Sequence, residues 1–360
     1  MPSKISFLNI DYNINKVKIM PRKISDIGEK GLIKRILNKT KKSDFDSIFL
    51  DNFSFKSLSD DAALINLGEQ YLVATSDMLF KFTHFPNDMS YNQIGKKVVT
   101  VNVSDLGAMG AKPIGIIVSM GLPRDMLLDE FEEMLEGIID MCSKYDMKLI
   151  GGDTNESPEL TLCGTCLGIV QKENVLMKSG AQTGDIVAIT GPTGLAAAGF
   201  EVLFNKSKFK DLNPIYRDHV LKHALNPKAR VNEGILLAKS GFITSATDIT
   251  DGMVSEIDEL INANSYRIGM TLNEEMIPIC EEILEIAGKT GKNPLEFAFY
   301  YGEDFELLLT IKKEGFKQIK EKIPIYEIGN VTSSGKIEIL HKDGTTSIIK
   351  PRGYEHLSPK

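Results

Sequence analysis

The chain is organised around one apolar stretch, Val98-Val-Thr-Val-Asn-Val-Ser-Asp-Leu-Gly-Ala-Met-Gly-Ala111, which carries a single acid. That acid, Asp105, stands among small residues, which let other backbone approach closely. A carboxylate in such surroundings is expected to be held rigidly beside whatever it binds. The valines before Asp105 favour a strand, whereas Ile94, Val98 and Val101 follow helical spacing. The residues alone leave that choice open.

Further acids recur along the chain, at or near the ends of apolar segments. They are Asp60 with Asp61, Asp77, Asp153, and Asp248 with Asp251. Mg²⁺ prefers six oxygen ligands and usually keeps water, so one or two carboxylates per ion suffice. Several such ions could neutralise a triphosphate without a P-loop, whose Lys-Ser/Thr is absent after the turn Gly191-Pro-Thr-Gly194. The acids together predict a magnesium-phosphate site, although a lone Asp after a strand is more often a turn former or helix cap.

Composition narrows the class of protein. At 360 residues, 42% of them hydrophobic, the chain is long enough for two domains with ordinary cores. A net charge of -7 argues against non-specific binding to nucleic acid or anionic membrane, since such binding needs clustered Lys and Arg. With no apolar run of roughly 20 residues and no signal-peptide pattern, we expect a cytoplasmic protein. The 4 cysteines are too few for a disulfide scaffold.

The hydrophobic pattern predicts an α+β order of elements. Leu127 to Tyr145 shows the clearest helical spacing, and Met147 to Ile150 predicts a strand that leads into Gly151-Gly-Asp-Thr-Asn155. Asp60 and Asp61 fall in a strand pattern that would point them to opposite faces, so at most one is expected to be a direct ligand. The predicted parts are an N-terminal extension at residues 1–24, a first domain at 25–180 and a second at 181–360.

Taken in order, the motifs resemble those of the thiamine-monophosphate kinases, within the wider aminoimidazole-ribonucleotide-synthetase-like group of ATP-binding proteins. The matching segments are Gly28-Glu29, Asp60-Asp-Ala-Ala63, Thr75-Ser-Asp77, His84-Phe85, Asn102-Val-Ser-Asp-Leu-Gly-Ala-Met-Gly-Ala111, Gly151-Gly-Asp-Thr-Asn155, Ser179-Gly-Ala181, Asp248-Ile-Thr-Asp-Gly252, Gly302-Glu-Asp-Phe-Glu-Leu307 and Gly353-Tyr354. The resemblance implies a helix before Asp105. It also implies an N-terminal sandwich-like domain with a mixed sheet, which forms a homodimer, and a C-terminal α/β domain of the synthetase type.

The resemblance further implies ATP-dependent phosphorylation of thiamine monophosphate to thiamine diphosphate, with several Mg²⁺ ions. The implied metal ligands are Asp61, Thr75, Ser76, Asp77, Asp105, Asp153, Asp248 and Asp251. The implied contacts to ATP are Gly152, Asp153, Thr250 and Lys178, the last in place of the family's usual Arg. The substrate is expected to contact His84, Glu303 and Tyr354. Transfer itself is expected to depend most on Asp105, Asp153 and Asp251.

The implied mechanism is direct in-line transfer to a phosphate oxygen that is already anionic, so no general base is required. The difficulty is bringing two anions together, since two unit charges 4 Å apart repel by about 4 kcal/mol at an effective dielectric constant near 20. Two alternatives stay open: a sister enzyme of the aminoimidazole ribonucleotide synthetase or selenophosphate synthetase type, and a non-catalytic ATP sensor. Selenophosphate synthetases are expected to carry a reactive Cys near the N-terminus, and residues 1–60 contain none.

Overall fold

The computed structural model describes residues 24–40 and 60–353. Residues 24–40 belong to a unit of their own, in which a 3-10 turn at Ile24–Asp26 leads into helix α1, Gly28–Thr40. Residues 60–353 belong to a second, much larger unit. Most of the predicted N-terminal extension (residues 1–23) and the predicted substrate residue Tyr354 lie outside the described residues.

The first half of the larger unit contains a five-stranded mixed sheet in the order β1-β2-β5-β3-β4. Its strands are Ala63–Asn66 (β1), Gln70–Phe80 (β2), Lys112–Leu122 (β3), Lys148–Glu156 (β4) and Thr161–Gln171 (β5). The helices between them are Lys81–His84 (α2), Tyr91–Ala108 (α3) and Leu128–Lys144 (α4). Strands β3 and β4 run parallel, and the other neighbouring strands run antiparallel.

The second half contains a seven-stranded mixed sheet in the order β12-β11-β8-β10-β6-β9-β7. Its strands are Ile186–Ile189 (β6), Ile243–Asp248 (β7), Gly269–Asn273 (β8), Leu307–Ile311 (β9), Tyr326–Thr332 (β10), Ile337–Leu340 (β11) and Thr346–Ile348 (β12). Its helices are Leu195–Phe204 (α5), Pro214–Leu225 (α6), Val231–Ala238 (α7), Met253–Ala263 (α8), Glu281–Thr290 (α9), Pro294–Tyr300 (α10) and Phe316–Lys320 (α11). Two mixed sheets with helices confirm the α+β prediction. Of the helices in the described ranges, none is long and apolar enough to cross a membrane.

The stretch before Asp105 is a helix, as the resemblance implied. Helix α3 begins with a capping box, in which Ser90 Oγ accepts from the Gln93 N–H at 3.2 Å and Gln93 Oε1 accepts from the Ser90 N–H at 2.9 Å. This reciprocal cap satisfies two backbone donors that a helix N-terminus otherwise leaves without partners. The cap and the buried valine face together overcome the strand propensity of the valines.

Helix α3 packs closely against α4 because each contributes a glycine at the crossing. A Cβ at Gly95 would lie 1.9 Å from the Met134 carbonyl oxygen, and a Cβ at Gly137 would lie 2.0 Å from the Asn92 carbonyl oxygen. No side chain fits at either position without moving the neighbouring backbone. The crossing therefore holds α3 in place against the inner face of the first sheet, with Asp105 in its last turn.

Two details differ from the sequence prediction. Asp60 and Asp61 lie in a bend before β1 rather than within the strand. The strand predicted at Met147 to Ile150 extends through Glu156, so that Asp153 lies inside β4, at the edge of the sheet. The second difference decides where the Asp153 side chain points.

Candidate active site

Four of the predicted metal ligands come together where β2, α3 and β7 meet. They are Asp61, Asp77, Asp105 and Asp248, and we call them the carboxylate cluster. The carboxyl groups of Asp77 and Asp105 lie beside each other, and the hydroxyl of Thr75, on the same face of β2 as Asp77, donates to Asp105. Thr247 Oγ1, at the end of β7, donates to Asp61 Oδ1 at 2.9 Å. Strand β2, helix α3, strand β7 and the bend before β1 therefore each deliver one acid of the cluster to one place.

The carboxylate cluster combines the buried Asp248 with the half-buried Asp61, Asp77 and Asp105, and it is electrostatically unfavourable without cations. Burial, followed by the charges of Asp77, Asp248 and Asp61, raises the pKa of Asp105 well above its usual range. Burial and then the charge of Asp61 raise the pKa of Asp248 to about 8. The Oδ2 atoms of Asp61 and Asp248 are buried and have no hydrogen-bond partner among the residues that the structure describes. Bound cations would supply the missing partners of these buried oxygens and would neutralise the repulsion between the carboxylates.

The donor atoms of this cluster suit Mg²⁺, because they are carboxyl and hydroxyl oxygens. Within the two described ranges, no three His, Cys, Asp or Glu side chains are arranged to hold one ion by themselves. Magnesium sites usually take one or two carboxylates and complete the six ligands with phosphate and water oxygens. The cluster therefore fits ions that are shared with a phosphate ligand.

Lys178, a predicted contact to ATP, is paired with the acids of the site. Its Nζ lies 2.9 Å from Asp61 Oδ1 and 2.6 Å from Glu259 Oε2. Its backbone N–H donates to the Asp60 carboxyl at 3.1 Å. Burial and the neighbouring charge of Asp61 raise the pKa of Asp60 to about 7. Lys178 therefore binds both acids of the Asp60-Asp61 pair, one through its main chain and one through its side chain.

The predicted substrate residues His84 and Glu303 are joined by a lysine that the sequence did not single out. Lys97 of α3, fully buried, donates to both carboxylate oxygens of Glu303 at 2.7 Å and to the His84 carbonyl at 2.9 Å. His84 Nδ1 accepts from the Phe80 N–H at 3.1 Å, so the proton of the neutral ring lies on Nε2. The Glu303 N–H donates to the carbonyl of Thr250, a predicted ATP residue, at 2.9 Å. Glu303 thus connects the two predicted binding regions.

Ser76 and Asp153 point away from the carboxylate cluster. Ser76 Oγ donates to the Gly164 carbonyl at 3.0 Å, and Ser76 is exposed on the opposite face of β2 from Asp77. Asp153 pairs with Ser119 of β3, whose side chain is exposed. Asp77 pairs with Gly164 of β5, which in turn pairs with the buried Val118 of β3. Because successive strand residues alternate, Asp153 lies on the outer face and does not join the cluster within one chain.

Two further predicted residues lie close to these groups. Asp251 follows the cluster member Asp248 by three positions, and its backbone N–H donates to Glu256 Oε1 at 3.1 Å. Gly152 lies in β4 beside Val118, one position before Asp153. The structure therefore gathers most of the predicted residues near one site and leaves Ser76 and Asp153 on the other face of the sheet.

Comparisons with known proteins identify the family of this chain. Family models of AIR synthase related proteins match residues 59–170 with their N-terminal domain and residues 182–342 with their C-terminal domain. The thiamine-monophosphate kinase of Pyrococcus horikoshii is 34% identical over 321 residues, which cover 89% of this chain and 97% of the relative. That of Bacillus subtilis is 33% identical over 310 residues, which cover 83% and 92%.

A solved structure shows the same fold. The structure of AaThiL complexed with AMPPCP and TMP aligns with a TM-score of 0.81 at 26% sequence identity, and the alignment covers 93% of this chain and 99% of that one. The identity to the kinases extends over nearly their whole length, so both domains are shared. The chain therefore belongs to the thiamine-monophosphate kinase family.

Proposed function

We propose that this protein transfers the γ-phosphoryl group of ATP to thiamine monophosphate, giving thiamine diphosphate and ADP. The carboxylate cluster is the observation that carries this proposal, because four neighbouring acids that repel one another, buried or half-buried, suit a site for metal-bound phosphates. The relatives named thiamine-monophosphate kinase, and the structure of AaThiL with AMPPCP and TMP, support the choice of substrates.

Magnesium ions held by the carboxylate cluster would neutralise the phosphates and align them for in-line transfer. The chain prepares that site through contacts already in place. Thr75 donates to Asp105 and sets the direction of its carboxyl group. Lys178 balances the charge of Asp61. On the acceptor side, His84 and Glu303 are available to orient thiamine monophosphate, whose phosphate needs no general base because it is already anionic.

The remaining assignments are proposals as well. We propose Gly152, Asp153, Lys178 and Thr250 as contacts to ATP, and Tyr354 as a third contact to the substrate. Thr75 and Asp251 are proposed as further metal ligands within one chain, and Ser76 and Asp153, on the outer face of the first sheet, as ligands of metal held by a second copy. Asp105, Asp153 and Asp251 are proposed as the residues on which transfer depends most. We also propose a boundary between the two domains near residue 180, and the cytoplasm, where ATP is abundant, as the site of action.

We propose that two copies associate through the outer face of the first sheet. That face exposes Met78 and Ile150 at 52% each and Ile117 at 36%. Exposed apolar side chains on neighbouring strands mark interaction surfaces, and a second copy is the partner that most soluble oligomers use. Asp153 lies on the same face. Its proposed contact to ATP would then be made to the nucleotide of the second copy.

The test is to incubate the purified protein with ATP, Mg²⁺ and either thiamine monophosphate or unphosphorylated thiamine, and to separate the products by chromatography. We expect thiamine diphosphate and ADP in equal amounts from thiamine monophosphate, and no phosphorylated product from thiamine. ATP binding without product would favour the sensor. Turnover only with an aminoimidazole ribonucleotide precursor or with selenide would favour a sister enzyme.

A further inference from the structure

Lys97 is the most completely buried charged side chain near the acceptor side of the site, and its surroundings account for all of its hydrogen-bonding capacity. The residue is 0% exposed. Its ammonium group has three protons and three acceptors: the two carboxylate oxygens of Glu303 at 2.7 Å each and the His84 carbonyl oxygen at 2.9 Å. A lysine with all three protons engaged has none left for a phosphate. Lys97 therefore acts through Glu303 and His84.

Glu303 is held at both its backbone and its side chain. Its φ of +69° is a conformation that residues other than glycine rarely adopt. The turn is fixed against Thr250, since the Glu303 N–H donates to the Thr250 carbonyl, and a Cβ at Gly302 would lie 1.7 Å from that same oxygen. The Glu303 side chain nevertheless stays 28% exposed. Lys97 thus holds a carboxylate that can still reach a ligand.

The two residues that Lys97 joins come from different halves of the fold. His84 ends α2, next to the first sheet, whereas Glu303 follows α10 in the second half. The bond from Lys97 to the His84 carbonyl positions the backbone of that residue, and its ring is oriented separately by the Phe80 N–H. The buried ammonium group of Lys97 therefore connects His84 and Glu303 directly.

We propose that Lys97 is a positioning residue for the acceptor substrate, which sets the distance between Glu303 and His84 and thereby aligns thiamine monophosphate for transfer. The proposal rests on the proposed function. It predicts an effect on the acceptor and not on the nucleotide, because within the described residues the hydrogen bonds of the Lys97 ammonium group go to Glu303 and His84 and not to the carboxylate cluster or Lys178. A residue that only supported the fold would lower the maximal rate through loss of folded protein and would leave the KM for both substrates unchanged.

The experiment compares Lys97→Met with Lys96→Met, a matched control at the next position of α3. Lys96 pairs with Asp140 at 3.4 Å on a more exposed part of the helix. Loss of charge-assisted hydrogen bonds should raise the KM for thiamine monophosphate about 10- to 100-fold in Lys97→Met, with the KM for ATP changed less than about twofold. Lys96→Met should leave both values unchanged. An unchanged KM for thiamine monophosphate in folded Lys97→Met overturns the proposal.

A second pair of variants covers the case in which Lys97→Met does not fold. Lys97→Arg keeps the charge but changes its geometry, and should raise the KM for thiamine monophosphate about 3- to 10-fold. Lys97→Arg combined with Glu303→Gln should be little worse than Glu303→Gln alone, since residues that act through one another are not additive. Fully additive effects would overturn the proposal. If the wild-type protein forms no thiamine diphosphate, the proposed function fails, and this inference fails with it.

Discussion

Replacing Asp105 by Asn should make the metal-free protein more stable while it removes catalysis. Asp105 lies beside Asp77 and is repelled by the charge of Asp77 and then by those of Asp248 and Asp61. Two unit charges about 4 Å apart repel by about 4 kcal/mol at an effective dielectric constant near 20. A proton shared within the pair would relieve about half of this repulsion, so we expect a gain of about 2 kcal/mol in the free energy of unfolding. Asn keeps the shape, and its amide can accept from Thr75 and donate to Asp77.

With Mg²⁺ and an unreactive ATP analogue, the order of stability should reverse. Bound cations stabilise only the protein that binds them in its folded state, and wild-type Asp105 contributes to that binding. The same loss of metal-bound charge should reduce kcat by about 10³-fold or more. The substitution therefore separates the chemistry of the site from the stability of the fold.

Urea unfolding at pH 7 gives the free energy of unfolding of the wild type and of Asp105→Asn, measured once in EDTA and once with Mg²⁺ and the ATP analogue. Asp185→Asn is a suitable control, because Asp185 is a buried acid outside the cluster that accepts from the Gln182 N–H at 2.8 Å and from Thr244 Oγ1 at 2.6 Å. That variant should be less stable by about 1 to 3 kcal/mol under both conditions. If Asp105→Asn destabilised the protein in EDTA, or gained as much from Mg²⁺ as the wild type, the reasoning would be refuted.

Three other predictions concern packing, association and pH. Gly137→Ala should lower the free energy of unfolding by about 3 kcal/mol, because the added Cβ clashes at the α3–α4 crossing. Gly288→Ala is the control: its Cβ would stand in open space on α9, so the free energy of unfolding should not fall. Urea unfolding of both variants tests the prediction. Ile117→Lys should shift the proposed dimer to monomer in light scattering, and Ile215→Lys, on exposed α6, should not; a dimer that survives Ile117→Lys contradicts the interface. Burial lowers the pKa of His223 from its usual 6.5 to about 4. Between these two pH values the imidazole binds a proton in the unfolded chain but not in the folded protein, so the folded protein loses stability as the pH falls below 6.5. Partial exposure reduces the full effect of about 3 kcal/mol to about 2, and His223→Gln should remove it in unfolding curves recorded at pH 7 and pH 4.5.

The sequence was informative where the chemistry is local. Asp105 and its small neighbours, together with acids at segment ends, predicted a magnesium-phosphate site from residue type and spacing, whereas the choice of individual ligands, such as Asp61 over Asp60, came from the family resemblance. The helix at α3 needed the family resemblance, since the propensity of its valines and their spacing disagree. In the folded chain, the capping box and the close crossing with α4 at Gly95 and Gly137 stabilise the helix.

The sequence could not predict what depends on distant partners. The direction of Asp153 follows from the length of β4 and from its register with β3, which pairing between strands determines. The role of Lys97 depends on Glu303, 206 residues away, and no periodicity links the two. The pairing of Lys178 with Asp61 and Glu259 likewise arises only when the two halves of the fold meet.

The carboxylate cluster is proposed to support transfer of the γ-phosphoryl group from ATP to thiamine monophosphate. The most direct measurement is a transfer assay with ATP labelled at the γ-phosphate, in which wild type and Asp105→Asn are compared at equal concentrations of folded protein. We predict that label appears in the terminal phosphate of thiamine diphosphate with the wild type, and that Asp105→Asn, although folded, forms none. Label that reached only inorganic phosphate, or equal transfer by both proteins, would contradict the account.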